Sequence, residues 1–378
     1  MSAVTRCSRC VLSEQFPNVR FDGDGICNYC HDWDREWKDF DFERSERRLV
    51  RLFETAKAKK RRYDCLVGFS GGRDSTYVLY LCKVKYGLEP LAVTFNNGFM
   101  SDVAVENIMN TVRLLGVDHV LHTIDWSLLR RMYRTTMLKA GEFCSVCSAG
   151  IYFVRQHYRD LYNIPLIVNG ASARVDEASP FEVNCTHPVY LRRVLRESFT
   201  PQEIDGILVP REYDLGLWDL VKRRLLDRGH TAVNLPDQVP WHNQEILDTL
   251  MRELGWRTPD RTREHLDCRY APLKYWFRNQ QMPGFVFKQE KLSQLVRDGQ
   301  MTRETALADL EKAFAEDAEP PVLDAFLEQI GLTRDDVADV AGRSHRDVVA
   351  KEDLVPRRSA ALRAVLAAKR TAGRLLGR

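Results

Sequence analysis

Six residues, Ser70-Gly71-Gly72-Arg73-Asp74-Ser75, follow directly on the apolar run Leu66-Val67-Gly68-Phe69, and their types and order suit them to hold a phosphate. A strand that stops at a Ser-Gly-Gly turn and continues as a helix from Thr76 to Val84 aims several backbone N–H groups at one point. The helix dipole favours an anion at the same point, and the glycines let the main chain approach it closely. The pattern is neither the GxxxxGKS/T of the nucleoside-triphosphate P-loop nor the dinucleotide GxGxxG.

Cysteines form the second chemical resource. Six of the ten fall in three C-x-x-C pairs. Cys7-Ser8-Arg9-Cys10 and Cys27-Asn28-Tyr29-Cys30 are two knuckles either side of a turn-rich loop containing Asp22-Gly23-Asp24-Gly25, a spacing that brings four thiolates around one tetrahedral Zn²⁺. So short a module cannot bury enough apolar surface to fold alone, and the metal would supply its folding free energy. Such a zinc ribbon either grips RNA or a protein partner or serves as a stability clip. The third pair, Cys144-Ser145-Val146-Cys147, precedes a helix from about Ala149 and needs a distant partner, for which Cys268 and Cys185 are available. Cys144, Cys147 and Cys268 could hold an iron–sulfur (4Fe-4S) cluster with one iron open, bind zinc with a fourth ligand, or work as a redox pair. The plain alternative is two structural cysteines at a helix start. Cys65 and Cys82 read as small core residues.

The elements that must position these groups follow from periodicity. Short apolar runs at Cys65 to Phe69, Pro90 to Phe95, His119 to Ile124 and Pro165 to Asn169 alternate with helical patterns, which predicts an α/β fold with a parallel sheet and helices on both faces. Ligands bind such sheets beyond the carboxyl ends of the strands. There Ser70 to Ser75 would meet Thr94, Asn96 and Gly170, the further candidates for the phosphate ligand's site. The organisation expected is a zinc ribbon over 1–35, a charged helix from about Glu43 to Arg62, the ligand-binding α/β domain over 60–190, and a mainly helical cap over 191–343. A basic helical tail over 344–378 completes it.

Charge divides the same way. Residues 357–378 carry seven Lys or Arg and no acid, which leaves 49 basic against 53 acidic residues elsewhere in a chain of net charge +3. The body therefore lacks a broad footprint for nucleic acid. In the tail, Leu362, Val365, Leu366 and Leu376 fall near one helix face, which suits either a solvated terminal helix or docking on an acidic surface. No apolar leader and no stretch of about 18 apolar residues is present. These features, with so many unpaired-reading cysteines, place the chain in a reducing cytoplasm.

The loop resembles the SGGxDS loop of the PP-loop ATP pyrophosphatases, whose fold is that of the adenine nucleotide alpha hydrolases. A narrower resemblance is carried by Cys7-x-x-Cys10-Val11-Leu12, by Phe21-Asp22-x-x-Gly25-Ile26-Cys27-Asn28-Tyr29-Cys30 and by Phe143-Cys144-x-x-Cys147-x-x-Gly150-Ile151. Trp241 to Trp256 ending in Leu254-Gly255-Trp256, His265-x-Asp267-Cys268 and Leu295-Val296-Arg297-x-Gly299 to Arg303-Glu304-x-Ala306 extend it. With these the chain resembles the N-acetyl sugar amidotransferases over about residues 5–310. The resemblance implies that Ser70, Gly71, Gly72, Arg73, Asp74 and Ser75 hold ATP phosphates and Mg²⁺, that an acceptor oxygen is adenylated with loss of pyrophosphate, and that ammonia from a separate glutaminase displaces AMP. Arg73 stands where lysine is commoner in that family. In Val168-Asn169-Gly170-Ala171-Ser172-Ala173-Arg174 a carboxylate expected from the family is missing and Arg174 is added, which points to an altered, anionic or heteroaromatic acceptor. A competing expectation is sulfur insertion into a small molecule or, less suited to the near-neutral body, a tRNA. A cluster on Cys144, Cys147 and Cys268 and a sulfur-donor protein would then serve the reaction. A third is a nucleotide-responsive binding protein.

Overall fold

The computed structural model describes residues 4–16, 18–175, 188–208, 231–258, 267–281, 288–315 and 318–343. Cys185, His265 and the basic tail lie outside them.

Five strands form one sheet: β1 (Cys65–Gly68), β2 (Pro90–Asn96), β3 (Asp118–Thr123), β4 (Leu166–Asn169) and β5 (Thr231–Asn234). Their order is β3-β2-β1-β4-β5 and every pairing is parallel. The chain steps outward from β1 through β2 to β3, then returns to lay β4 on the other flank of β1. That reversal opens a crevice between the carboxyl ends of β1 and β4, where parallel α/β sheets take ligands.

Strand side chains alternate cleanly between two cores. Leu66, Leu91, Val93, Phe95 and Ile167 join one buried cluster, while Cys65, Val67, Ala92, Leu166 and Val168 join the other. The first is covered by α5 (Trp126–Ala140), α6 (Cys144–Leu161) and α7 (Pro188–Leu195), and the second by α2 (Phe42–Ala58), α3 (Arg73–Tyr80), α4 (Asp102–Leu115) and α9 (Asn243–Leu254). Burial on both faces is why these strands read as short continuous apolar runs rather than as polar–apolar alternation. Between α7 and α9 lies α8 (Pro201–Asp205). The C-terminal part is helical: α10 (Ala271–Gln281), α11 (Lys288–Arg297), α12 (Arg303–Ala315), α13 (Leu323–Ile330) and α14 (Arg334–Val337). Among the described residues no helix is long and apolar enough to cross a membrane.

The expected parallel sheet with helices on both faces is present, and its first four strands begin and end within a residue of the apolar runs. Two elements differ from the sequence reading. The stretch 191–287, expected to be mainly helical, contributes β5 to the sheet. It is an edge strand of four residues whose Thr231 and Ala232 are exposed, so it has no apolar run to announce it. The cysteine-rich start, read as a turn-rich ribbon without helical periodicity, contains α1 (Asn28–Trp37), whose single fully buried side chain is Cys30. A helix held by a ligand-type residue instead of an apolar stripe shows no 3.6-residue pattern.

Gly150 sets how closely α6 lies on the sheet, because a Cβ there would stand 2.2 Å from the Phe95 ring. Gly150→Ala would gain about 1 kcal/mol of helix propensity and lose about 1–3 kcal/mol to overpacking. Net destabilisation is expected in urea unfolding, and a more stable variant would show that α6 is free to shift away from β2.

Candidate functional site

The chain leaves β1 at Gly68, and the Phe69 N–H donates to Val93 O at 2.8 Å before the backbone turns through Ser70–Gly72 into α3. Gly71 takes φ +77°, and a Cβ on it would lie 2.5 Å from Ala104 O, so glycine is required on both counts. Gly71 O points away from the helix start and accepts from Trp256 Nε1 at 2.9 Å and Asn107 Nδ2 at 3.4 Å. Ser75 Oγ accepts from Ser70 N at 3.2 Å and donates to Gly72 O at 3.1 Å, while Thr76 Oγ1 donates to the same carbonyl at 2.8 Å. Gly72 is the N-cap and gives no side-chain cap. The first-turn N–H groups of α3 have no acceptor within the helix, which is the arrangement that takes an anion.

The other sequence candidates surround this loop. A Cβ on Gly170 would lie 3.4 Å from Asp74 C and Ser75 N, so the end of β4 closes on the start of α3. Thr94 is buried beneath the loop; its hydroxyl bonds Phe69 O and lies 2.8 Å from His119 Nε2. Burial holds the His119 pKa below its ordinary value. Asn96 stands at the end of β2, accepting from Gly98 N at 3.1 Å and donating to Thr123 Oγ1 at 3.3 Å.

Asp74 carries the charge at this site. Arg73 reaches it through Nε to Oδ1 at 3.2 Å and Nη2 to Oδ2 at 3.0 Å, and Trp241 Nε1 donates to Oδ1 at 3.0 Å. Burial pushes the Asp74 pKa up, but Arg73, the more distant Lys291 and the indole N–H outweigh it and hold the carboxyl below the usual range. Sequence reasoning gave no role to Trp241, Trp256, Asn107, Arg155 or Asp267. Arg155 lies across Gly68 and donates to Asn169 Oδ1 at 2.6 Å, and the Asp267 carboxylate sits 3.6 Å from the Cβ position of Gly72. The two tryptophans lie in the Trp241 to Trp256 stretch, but nothing local says that each indole N–H is aimed at a loop 167 or more residues away.

Arg174 corrects an expectation. It does not face an acceptor: its guanidinium is buried against Asp298 at 3.0 Å, donates to Pro236 O and Val239 O at 3.2 and 3.4 Å, and stacks on Phe42. Buried Asp237 braces the same loop, accepting from Ser172 Oγ at 2.7 Å and Ala173 N at 3.0 Å.

Cys7, Cys10, Cys27 and Cys30 are all buried, with their sulfurs within 4.8 Å of one another. Sulfur separations of 3.9 Å (Cys7 to Cys30), 3.7 Å (Cys10 to Cys27) and 3.6 Å (Cys27 to Cys30) match the edge of about 3.8 Å that a tetrahedron with metal–sulfur bonds of about 2.3 Å would have. Cys10 N and Cys27 N donate to Cys7 Sγ at 3.4 and 3.2 Å, as backbone amides do around bound thiolates. These four residues fit a tetrahedral metal ion. The module packs on α11 and α12, with Val11 among Leu292, Ala306 and Leu310.

Cys144, Cys147 and Cys268 are brought to one neighbourhood beside the loop, less tightly than the first four. An antiparallel bridge between Met100 and Cys268, with Ser101 N donating to Asp267 O at 3.1 Å, pins the 267–269 segment to the chain leaving β2. Asn97 Nδ2 donates to Cys147 Sγ at 3.3 Å. Burial pushes the Cys147 thiol up to about 11 and the Cys268 thiol up to about 12. Buried Glu142 accepts from Ser145 N, Ser145 Oγ and Tyr190 OH at 3.0, 2.6 and 3.0 Å, which fixes the start of α6 and with it Cys144 and Cys147.

A family model described as the C-terminal domain of WbpG-like LPS biosynthesis proteins matches residues 279–351, which include α11 and α12. The chain is similar to the uncharacterized protein MJ1599 of Methanocaldococcus jannaschii, with 23% identity over 318 residues, 81% of this chain and 93% of that one. Among solved structures, the U34-tRNA thiolase NcsA of Methanococcus maripaludis with its 4Fe-4S cluster aligns at TM-score 0.36 and 14% identity, covering 85% of this chain and 91% of its own. The NH3-dependent NAD synthetase of Campylobacter jejuni aligns at TM-score 0.30 and 14% identity over 58% of this chain and 99% of its own. The NMN synthetase of Francisella tularensis gives TM-score 0.28 and 18% identity over 62% and 97%.

Asp74 has a depressed pKa, so its contribution to stability is present above the unfolded-state value and is lost as pH falls through the folded one. Trp241→Phe is expected to destabilise the fold by about 1–2 kcal/mol at pH 7 through loss of a hydrogen bond to a charged group. Urea unfolding at acidic pH should show a smaller difference, and an equal loss at both pH values would mean that the indole acts only by packing.

Proposed function

We propose that this chain is an ATP-dependent enzyme that forms AMP and pyrophosphate, adenylating a carbonyl or amide oxygen of a sugar or related small metabolite for displacement by ammonia. The observation that carries the reading is the Ser70–Ser75 loop at the crevice between β1 and β4. An uncapped helix start, a glycine held at positive φ and the close approach of Gly170 together form a cradle for phosphate oxygens. The acceptor oxygen attacks the α-phosphorus in line, the bond to the β-phosphate bridging oxygen breaks, and pyrophosphate leaves with its charge facing the α3 N–H groups. Ammonia then attacks the activated carbon, and AMP departs with the oxygen. Asp74 is the residue to hold Mg²⁺, which would neutralise the leaving phosphates. The match of 279–351 to a domain described for LPS biosynthesis supports a sugar acceptor, and ammonia would come from a separate glutaminase. The four N-terminal cysteines would hold zinc, and the reaction belongs in the cytoplasm.

One observation favours a second reading. Asp267 approaches the Gly72 position and the adjoining Cys268 lies within electrostatic reach of Cys147, so a sulfur centre there would stand near the phosphate loop. A 4Fe-4S cluster held by Cys144, Cys147 and Cys268 would supply sulfide in place of ammonia.

Anaerobically purified protein is expected to contain about one zinc per chain and no iron, by analogy with closed Cys₄ sites. About four iron with labile sulfide, lost in a Cys144→Ala, Cys147→Ala variant, would transfer the assignment to sulfur insertion. Asp74→Ala is expected to reduce acceptor-dependent pyrophosphate release at least about a hundredfold, the scale of losing one electrostatic stabiliser of the transition state, with zinc content unchanged. Undiminished release would remove Asp74 from the reaction.

A further inference from the structure

The four residues 297–300, which end α11 and follow it, touch the cysteine module directly and the phosphate loop through Trp241. The Arg297 guanidinium is buried and donates from Nε to Cys30 Sγ at 3.4 Å and from Nη2 to Cys10 Sγ at 3.5 Å. Its neighbour Asp298 forms the buried pair with Arg174 and accepts from Gln300 Nε2 at 2.7 Å. Gln300 brackets Trp241, donating to Trp241 O at 3.0 Å and accepting from Asn243 N at 3.0 Å. The Trp241 indole in turn donates to Asp74 in the phosphate loop. Hydrogen bonds on either side of the covalent step from Arg297 to Asp298 therefore link the metal-ligand sulfurs to the loop carboxylate.

We propose that Arg297 is a positioning residue through which metal occupancy of the four-cysteine module sets the geometry of the phosphate loop. Four thiolates around a divalent ion carry a net charge of about −2, and a buried guanidinium bonded to two of the sulfurs offsets half of it. That pairing explains a cation at this depth. Sulfurs stay at tetrahedral spacing only while an ion holds them, and when it leaves, the acceptors of Arg297 disperse. The guanidinium cannot remain buried without them, and residues 298–300, which fix Arg174 and Trp241, are its immediate neighbours in the chain. Two further contacts make the module and this segment one body. Arg303 donates to Cys7 O and Cys10 O at 3.0 and 3.1 Å, and Ser13 N donates to Gln289 Oε1 at 3.1 Å. A module serving solely as a clip for its own residues would need neither the Asp298–Arg174 pair nor Gln300 beside its cation. The inference rests on the proposed function insofar as it gives that loop a control by metal.

The test uses the full chain and the variants Arg297→Gln and Arg297→Lys, reading zinc release to a chromophoric chelator and amide hydrogen exchange by mass spectrometry. Arg297→Gln is expected to release zinc about tenfold faster, the lower end of the effect of losing an outer-shell partner. It should also speed exchange in peptides covering 70–76 and 240–243 by a similar factor, about tenfold. Exchange in α5 should stay as it is, and Arg297→Lys should recover part of both effects. Unchanged zinc release, or faster release with exchange at 70–76 unaltered, would overturn the proposal. If Arg297→Gln does not fold, wild-type protein stripped by the chelator gives the same reading: faster exchange at 70–76 and 240–243 supports the coupling, and a change confined to residues 4–35 overturns it. Hydrogen exchange needs no nucleotide. A wild-type chain that fails to bind ATP would count against the proposed function and leave the coupling to be decided by exchange alone.

Discussion

A carboxylate stands at the start of α3, and three groups from separate parts of the chain bear on its negative charge. Asp74 sits in the first turn of α3, where the helix supplies about half a positive charge. It is also held by the Arg73 guanidinium and the Trp241 indole, with Lys291 adding its field. An incoming polyphosphate would compete with Asp74 for those same donors. If the loop holds a polyphosphate as proposed, coexistence would require added positive charge, and a divalent cation would supply it by making two mutually repelling anions ligands of one ion. On that reading Arg73 would turn from Asp74 toward the phosphate, a task for which its planar fork is suited differently from the point charge of lysine.

The donors that steady the loop come from far along the chain. Trp256 and Asn107 fix Gly71 O, Trp241 fixes Asp74, and the 267–269 segment lies against Gly72 because the Met100–Cys268 bridge registers it there. The parallel sheet supplies a rigid floor, while segments after β4 and β5 supply the walls. The loop thus depends on long-range packing, and Trp241 and Trp256 serve two ends at once, because both indoles are also buried in the apolar core on that face of the sheet.

This division explains what was legible in the sequence. The loop could be read because its chemistry is local: six consecutive residues and a preceding apolar run contain all the information needed for a strand, a tight turn and a helix start. The first four strands could be read because both faces are buried, and the four N-terminal cysteines because metal ligation imposes fixed spacing. β5 escaped because an exposed edge strand of four residues has no pattern. Arg174 was misread because a lone arginine in a loop looks the same whether its partner is a ligand or, as here, an aspartate 124 residues away. Arg297 and Trp241 escaped for the same reason, since their partners are set by topology.

The choice of nucleophile turns on what Cys147 and Cys268 are chemically. A cysteine that attacks or carries sulfur needs thiolate character, supplied by a nearby cation, a helix N-terminus or a metal. Burial does the opposite here, raising both thiols to about 11 and 12, and the charged neighbour that bears on each is the acidic Asp267. Cys147 receives one polar contact, from Asn97, and Cys268 is held in place chiefly by its backbone. As thiols these residues would form a neutral wall beside the loop, and under the proposed ammonia chemistry the displacing group would arrive from outside. In sulfur chemistry a cluster would hold both as thiolates, because a coordinating metal ion removes the thiol proton and reverses the effect of burial. The two readings thus ask opposite protonation states of the same two residues.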